Sequence, residues 1–232
     1  MSKTISIIPA RGGSKRIPGK NLRELAGLPL IGWSIRTSMQ CRGIHHHIVS
    51  TDSEEIAATA RELGAEVVMR PAELASDTAG TIEVCQHLIA SLEKEGKEIS
   101  NVVLLQPTSP FRKTESIEEA LLALIGGVAD MAIGVSRIKA GPEWQMSIED
   151  GFLHFPFRND FGRIRSQEQP VYFRPNGSLY VYQRDVLMAA NKYAWGKRVL
   201  PIHTQAPYDL DIDYLTDFHI AEAIANADFQ NW

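Results

Sequence analysis

Apolar runs and stretches with helical spacing alternate along the first half of the chain. Short β-rich runs stand at Thr4–Pro9, His47–Thr51, Val67–Met69, Val102–Leu105 and Met131–Val135. Between them lie segments such as Ile82 to Leu92 and Ile117 to Leu124, where apolar residues recur at helical spacing. Val102-Val103-Leu104-Leu105 is a continuous apolar run, as expected of a parallel strand covered on both faces. This alternation predicts an α/β fold, a mostly parallel Rossmann-like sheet flanked by helices. Asp52, three residues before Glu55, and Ser116, three before Glu119, predict capping boxes at two helix starts.

Beyond about residue 138 the rhythm changes. Residues 139–170 are richer in Gly, Pro, aromatics and charge and show no clear period, which predicts an excursion from the core, a lid or a dimer arm. The chain returns through a strand at Gly177–Tyr182 and ends in a helix from about Tyr214. No internal repeat interrupts the pattern, so residues 1–232 read as one domain that carries the excursion.

Composition narrows the class. The 232 residues are 44% apolar and 22% charged, ordinary values for a globular chain. The 24 basic against 28 acidic residues, a net charge of −4, argue against a dedicated nucleic-acid binder. Two cysteines, Cys41 and Cys85, make no disulfide framework, and the start MSKTISIIPARGG has no signal-peptide run. Ala120 to Val135 is broken by Asp130 and two glycines, short of a membrane span. The expectation is a soluble protein of the reducing cytoplasm.

Candidate chemistry begins directly after the first strand. In Pro9-Ala10-Arg11-Gly12-Gly13-Ser14-Lys15-Arg16-Ile17-Pro18-Gly19-Lys20-Asn21 and on to Arg23, five cations precede the first acid, Glu24. Glycines allow close backbone approach, and exposed N–H groups in such loops form anion-binding nests. The spacing fits neither a P-loop nor the dinucleotide pattern G-x-G-x-x-G. Its place at the carboxyl end of a strand in an α/β sheet favours an anionic ligand, and a triphosphate suits it. Near the other end, Asp209-Leu210-Asp211-Ile212-Asp213 sets acids at alternate positions. In an extended strand Asp211 and Asp213 would share a face, a pair suited to Mg²⁺ held jointly with substrate phosphates.

These blocks together resemble the CMP-sialic acid synthetases (acylneuraminate cytidylyltransferases) of bacterial type. The likeness rests on Pro9 to Lys15 with Ile17-Pro18 and Lys20-Asn21, then Val49-Ser50-Thr51-Asp52 and Arg70 to Thr78. It continues in Leu105-Gln106-Pro107-Thr108-Ser109-Pro110, Phe173-Arg174-Pro175-Asn176-Gly177 and Asp211-Ile212-Asp213. The resemblance implies a nucleotidyltransferase-type fold and transfer of CMP from CTP to the anomeric hydroxyl of a nine-carbon 2-keto sugar acid, with release of pyrophosphate. Arg11 and Lys20 would hold phosphates, with Gly12, Gly13, Ser14 and Lys15 completing the loop. Asn21, Arg70 and Thr81 would bind the cytidine part, and Gln106 and Tyr180 would face the sugar. Asp211 and Asp213 would hold Mg²⁺, and the excursion would make a homodimer by reaching toward a neighbour's site.

One departure from the family pattern concerns its excursion arginine. An ungapped match puts Ser166 there; Arg165, one position away, is the candidate, and Arg174 could supply the same charge. Three further readings stay open or modest. His45-His46-His47 cannot converge on one ion if it lies in a strand, so a structural or solvated role is expected. Asp77-Thr78 could cap the next helix, and Asn176-Gly177 could be either a turn or a ligand contact. Within enzymes the acceptor could instead be legionaminic, pseudaminic or another 2-keto acid. Outside enzymes, a nucleotide-binding regulator would predict missing metal acids or a degraded loop, and neither is missing here.

Overall fold

The computed structural model describes residues 3–76, 79–139, 141–157 and 170–227. In chain order the first elements are β1 (Thr4–Pro9), the short pair β2 (Glu24–Leu25) and β3 (Leu28–Pro29), α1 (Leu30–Gln40), β4 (His46–Thr51), α2 (Glu54–Glu62) and β5 (Glu66–Met69). Next come α3 (Thr81–Lys94), β6 (Asn101–Leu104), α4 (Thr114–Ile125) and β7 (Met131–Arg137). The last are the hairpin β8 (Ser147–Glu149) and β9 (Phe152–His154), then β10 (Phe173–Gln183), α5 (Arg184–Met188), β11 (Val199–His203) and α6 (Leu215–Asn226).

The main sheet runs β11-β7-β10-β6-β1-β4-β5. All its pairings are parallel except those of β10, which lies antiparallel between β6 and β7. Successive side chains on a strand face opposite ways, and the two cores follow from that. Ile8, Val49 and Val103 pack under α1, α2 and α4 with Ile31, Ile35, Ile56 and Ile117. Ile5, Ile7, Val102 and Leu104 face the other way, against Cys85, Leu88 and Ile89 of α3 and Leu187 of α5. Burial pushes the Cys41 and Cys85 thiols up to about 12, so both sit as small apolar residues.

A third cluster matters most for function. Ile17, Leu25, Leu30, Trp33 and Phe111 pack with Ile212, Phe218, Ala221 and Ala225. It fastens the end of the first loop to the segment that opens α6, and so brings the two ends of the sequence together.

The helix starts differ from expectation. Ser53, not Asp52, caps α2, its Oγ accepting the Ile56 N–H, because the Asp52 carboxylate is used elsewhere, by the Gly12 N–H. Ser116 lies inside α4, which begins at Thr114. The expected strand at Gly177–Tyr182 is longer, Phe173–Gln183, with Gly177 at φ 79 where the register shifts. Positive φ there favours glycine. Asp77 and Thr78 lie outside the described residues. Of the excursion, the described part holds the β8–β9 hairpin. Among the described residues no helix is long and apolar enough to cross a membrane.

Candidate active site

A cavity of about 310 Å³ opens where β1, β5 and β6 end. Carboxyl ends of parallel strands are the usual ligand-binding edge of such sheets. Arg11, Ser14, Lys20, Asn21, Arg70, Thr81 and Gln106 all line it. The structure thus brings into one place residues drawn from four separate stretches of sequence. A larger cavity of about 690 Å³, against Trp33, Arg36 and Tyr208, contains none of the predicted site residues among its described lining.

The first loop is held from inside. Asn21, buried, donates from Nδ2 to the Arg11 carbonyl at 2.9 Å. Gly19, at φ 65, starts the 3-10 turn Lys20–Leu22 that aims Lys20 across the cleft. The Lys20 Nζ donates to the Ile212 carbonyl at 2.8 Å. Burial lowers the Lys20 pKa; Asp213 and Asp211 oppose that, while Arg16 and Arg11 add to it. Gly12 and Ser14 are used differently from the expected open nest. The Gly12 N–H donates to Asp52 Oδ1 at 3.0 Å, and the Ser14 N–H to the Gly12 carbonyl at 3.1 Å. A Cβ on Gly12 would approach Ser53 Cβ to 3.0 Å, so the glycine is needed for the loop to lie on the start of α2. Gly13 and Lys15 lie exposed on the same loop.

Arg70 follows β5. Its Nη2 donates to the Ser50 carbonyl and its Nη1 to the Leu74 carbonyl at 3.4 Å, while Nε has no partner among the described residues. Burial lowers its pKa, Asp52 opposes that and Arg11 adds to it. A buried donor without a partner costs about 1–3 kcal/mol, so this wall is poised for an acceptor. Thr81 is the first residue of α3, whose Gly80 N–H is held by Glu83 Oε2 at 3.0 Å.

Beyond Gln106 stand Tyr180 and Asp211, which are not among the described lining of this cavity. A Cβ on Gly177 would lie 3.6 Å from Gln106 Oε1, 3.6 Å from Ser109 Oγ and 3.7 Å from Asp211 Oδ2, which places those oxygens around one backbone position. Burial raises the Tyr180 phenol pKa, and the Asp211 charge raises it further. Asn176 is a structural residue. Its Nδ2 donates to Ser136 Oγ at 2.7 Å and to Thr204 Oγ1, and its Oδ1 accepts from the Ser178 N–H and hydroxyl at 3.1 and 2.7 Å. Arg174 lies exposed at the outer end of β10. Arg165 lies outside the described residues.

The acidic pair does not form a strand, contrary to expectation; residues 211–213 are an irregular segment before α6. Their alternation has another cause. Ile212 is fully buried in the third cluster and its N–H donates to the Thr108 carbonyl at 2.8 Å, which leaves both acids outward. Asp209 belongs elsewhere, accepting the Ser136 hydroxyl at 2.8 Å. Asp213 pairs with Arg16 at 2.6 Å, and Asp217 Oδ2 accepts the Asp213 and Tyr214 N–H groups at 3.0 and 2.7 Å. Crowding by protein raises the Asp211 pKa, a hydrogen bond with Thr108 opposes that, and Asp213 adds to it. Asp211 is nevertheless exposed. Two hard oxygen donors on one short segment are the set that Mg²⁺ takes alongside phosphates, so these residues fit that ion.

Sequence reasoning missed Arg112, which reads as one more surface cation beside Lys113. It donates instead to the Ser178 and Gln106 carbonyls and to Ser34 Oγ. Partners that are main-chain carbonyls leave no signal in residue spacing. The three histidines behave as expected, each with its own partner. His45 Nδ1 accepts the Thr4 N–H at 3.2 Å, His46 meets Glu66 at 2.6 Å, and His47 meets Ser38 Oγ at 2.7 Å.

Over 96% of both chains this one is 35% identical to the CMP-N,N'-diacetyllegionaminic acid synthase of Legionella pneumophila. It is 31% identical to the N-acylneuraminate cytidylyltransferase of Escherichia coli O18:K1:H7 over 96% of this chain, spanning 52% of that longer relative. A CMP:2-keto-3-deoxy-manno-octonic acid synthetase solved with CTP shares the fold, with a TM-score of 0.72 at 19% identity over 96% and 98% of the two chains. The family described as Cytidylyltransferase matches residues 5–230. The chain belongs to the cytidylyltransferase family.

Proposed function

We propose that this protein transfers CMP from CTP to the anomeric hydroxyl of N-acetylneuraminate or a closely related nonulosonic acid, releasing pyrophosphate. The observation that carries this reading is the single cavity lined by Arg11, Lys20, Asn21, Arg70, Thr81 and Gln106, with Lys20 bonded to the segment that bears Asp211 and Asp213. Within the class, a diacetylated legionaminic acid is favoured by the match to the Legionella synthase along almost the whole of both chains.

In the reaction the acceptor hydroxyl gives up its proton, its oxygen bonds to the α-phosphorus, and the α–β phosphoanhydride bond breaks. Positioning and charge neutralisation supply most of the acceleration in such a step. Arg11 and Lys20 hold the phosphates and stabilise the departing pyrophosphate, with Gly12, Gly13, Ser14 and Lys15 shaping the loop. Asn21, Arg70 and Thr81 hold the cytidine part. Gln106 and Tyr180 orient the sugar acid, and Arg165 or Arg174 reads its carboxylate. Asp211 and Asp213 hold Mg²⁺, which when bound neutralises phosphate charge and lowers the pKa of the attacking hydroxyl. Release of pyrophosphate from CTP and Mg²⁺, followed with a panel of 2-keto sugar acids, tests the reading. Tight CTP binding with no release from any acceptor would support a nucleotide-binding regulator instead.

The protein acts as a homodimer in the cytoplasm on this reading. Ile148 and Phe152 of the β8–β9 hairpin are 75% and 78% exposed, apolar side chains suited to a partner surface. Light scattering is expected to give twice the chain mass, and Phe152→Glu to lower it toward one chain. A monomeric wild-type protein would refute the dimer.

A further inference from the structure

Arg112 leaves the same loop as Gln106 but turns into the protein. Its Nε donates to the Ser178 carbonyl, its Nη2 to the Gln106 carbonyl and its Nη1 to Ser34 Oγ at 3.0 Å. Ser34 lies fully buried in α1 and itself reaches the Gln106 carbonyl at 3.5 Å. One guanidinium therefore joins α1, the exit of β6 and the middle of β10. The two carbonyls it grips belong to Gln106 and to the residue after Gly177, and a Cβ on Gly177 would stand within 3.7 Å of Gln106 Oε1, Ser109 Oγ and Asp211 Oδ2. Ser109 Oγ is buried and without a partner among the described residues.

The three acceptors lie in different directions, which a planar five-donor guanidinium satisfies and a single ammonium does not. Burial lowers the guanidinium pKa to about 9, opposed by Asp211, although the residue keeps some exposure toward the outer cavity. Such a group is costly to bury for structure alone when an apolar side chain would fill the place. What it achieves is a fixed placement of Gln106 against Gly177, beside Asp211.

We infer that Arg112 is a positioning residue for the sugar acid: by clamping the Gln106 and Ser178 carbonyls it fixes where Gln106 stands against Gly177 and Asp211 and leaves CTP binding unaffected. This rests on the cytidylyl-transfer reading. Small displacements of an orienting group cost rate steeply. The test compares Arg112→Lys, Arg112→Ala and Ser34→Ala with the wild type, measuring acceptor KM, kcat, CTP affinity by calorimetry and thermal midpoint. Arg112→Lys is expected to raise the acceptor KM about tenfold with CTP affinity kept within about twofold, and Ser34→Ala to raise it about threefold. Millimolar guanidinium is expected to restore part of the Arg112→Ala activity. An unchanged acceptor KM in Arg112→Lys or Ser34→Ala overturns the clamp, as does loss of CTP affinity in step with acceptor KM. If the Arg112 variants do not fold, Ser34→Ala decides. A wild-type protein that releases no pyrophosphate with any acceptor overturns the transfer reading and the clamp with it; an active wild type with unaffected variants overturns the clamp alone.

Discussion

The nucleotide wall and the acceptor wall of the cleft hold their polar groups in different ways. On the nucleotide wall, burial lowers the pKa of both Lys20 and Arg70, with Arg11 adding to it, and Arg70 Nε has no partner among the described residues. On the acceptor wall, Gln106 and Ser178 have their carbonyls tied to Arg112, and Tyr180 stands beside Asp211 with its phenol pKa raised. A surface of partly desolvated cations gains most when a polyanion arrives. A surface whose polar atoms are already tied down selects by shape. The first wall should therefore govern affinity for the triphosphate, and the second should govern which sugar reacts.

The largest expected break in this contrast comes from Asp211→Asn. It is expected to lower turnover by about two orders of magnitude or more at saturating Mg²⁺, a loss typical of removing transition-state charge stabilisation. Stability should not fall with it. The folded pKa of Asp211 is raised, so its stabilising contribution exists below the unfolded value and is lost as pH rises through the folded one. At neutral pH the ionised carboxylate is a burden on the fold, and the asparagine variant should melt no earlier than the wild type. Turnover like that of the wild type would remove Asp211 from the metal role; scanning calorimetry checks the stability half.

A smaller effect separates the walls by affinity. Lys20→Ala is expected to weaken CTP binding about tenfold, the usual scale for a charge-assisted contact, with a lesser change in acceptor KM. Unchanged CTP affinity by calorimetry would detach Lys20 from the phosphates. The smallest effect is that of salt. Raising monovalent salt severalfold should weaken CTP binding more than it raises the acceptor KM, because screening acts on the charged wall. Equal salt slopes for the two substrates would erase the contrast.

Much of the sheet was legible because its strands obey a simple rule. Thr4–Pro9 stands in the structure with the bounds expected, β4 to β7 differ by a residue or two at their ends, and β10 begins four residues earlier than expected. The first loop and the acid pair were legible as charge patterns. What escaped was tertiary. Asp52 was read as a cap from its distance to Glu55, yet its carboxylate is taken by the Gly12 N–H from a different part of the chain. Asp211 and Asp213 were expected to share a face of a strand; no strand is present, and they face outward because Ile212 is locked in a core. The pairs β2–β3 and β8–β9 are too short to announce themselves, and the edge strand β11 is interrupted by Pro201, which weakens a strand signal. Arg112 was invisible because its partners are chiefly carbonyls, which every residue possesses.

The bond between the Lys20 ammonium and the Ile212 carbonyl spans 192 positions of sequence. During synthesis, a growing chain can pair β1 with β4 and bury the first helices long before residue 212 leaves the ribosome. The cleft cannot close in that time. Contacts so distant in sequence form late, since the entropy of closing the intervening chain must first be met. The transferase would thus acquire the β6-β1-β4-β5 part of its sheet early and its chemistry at the end, and a chain stalled before residue 211 would carry the basic loop with no acids opposite it.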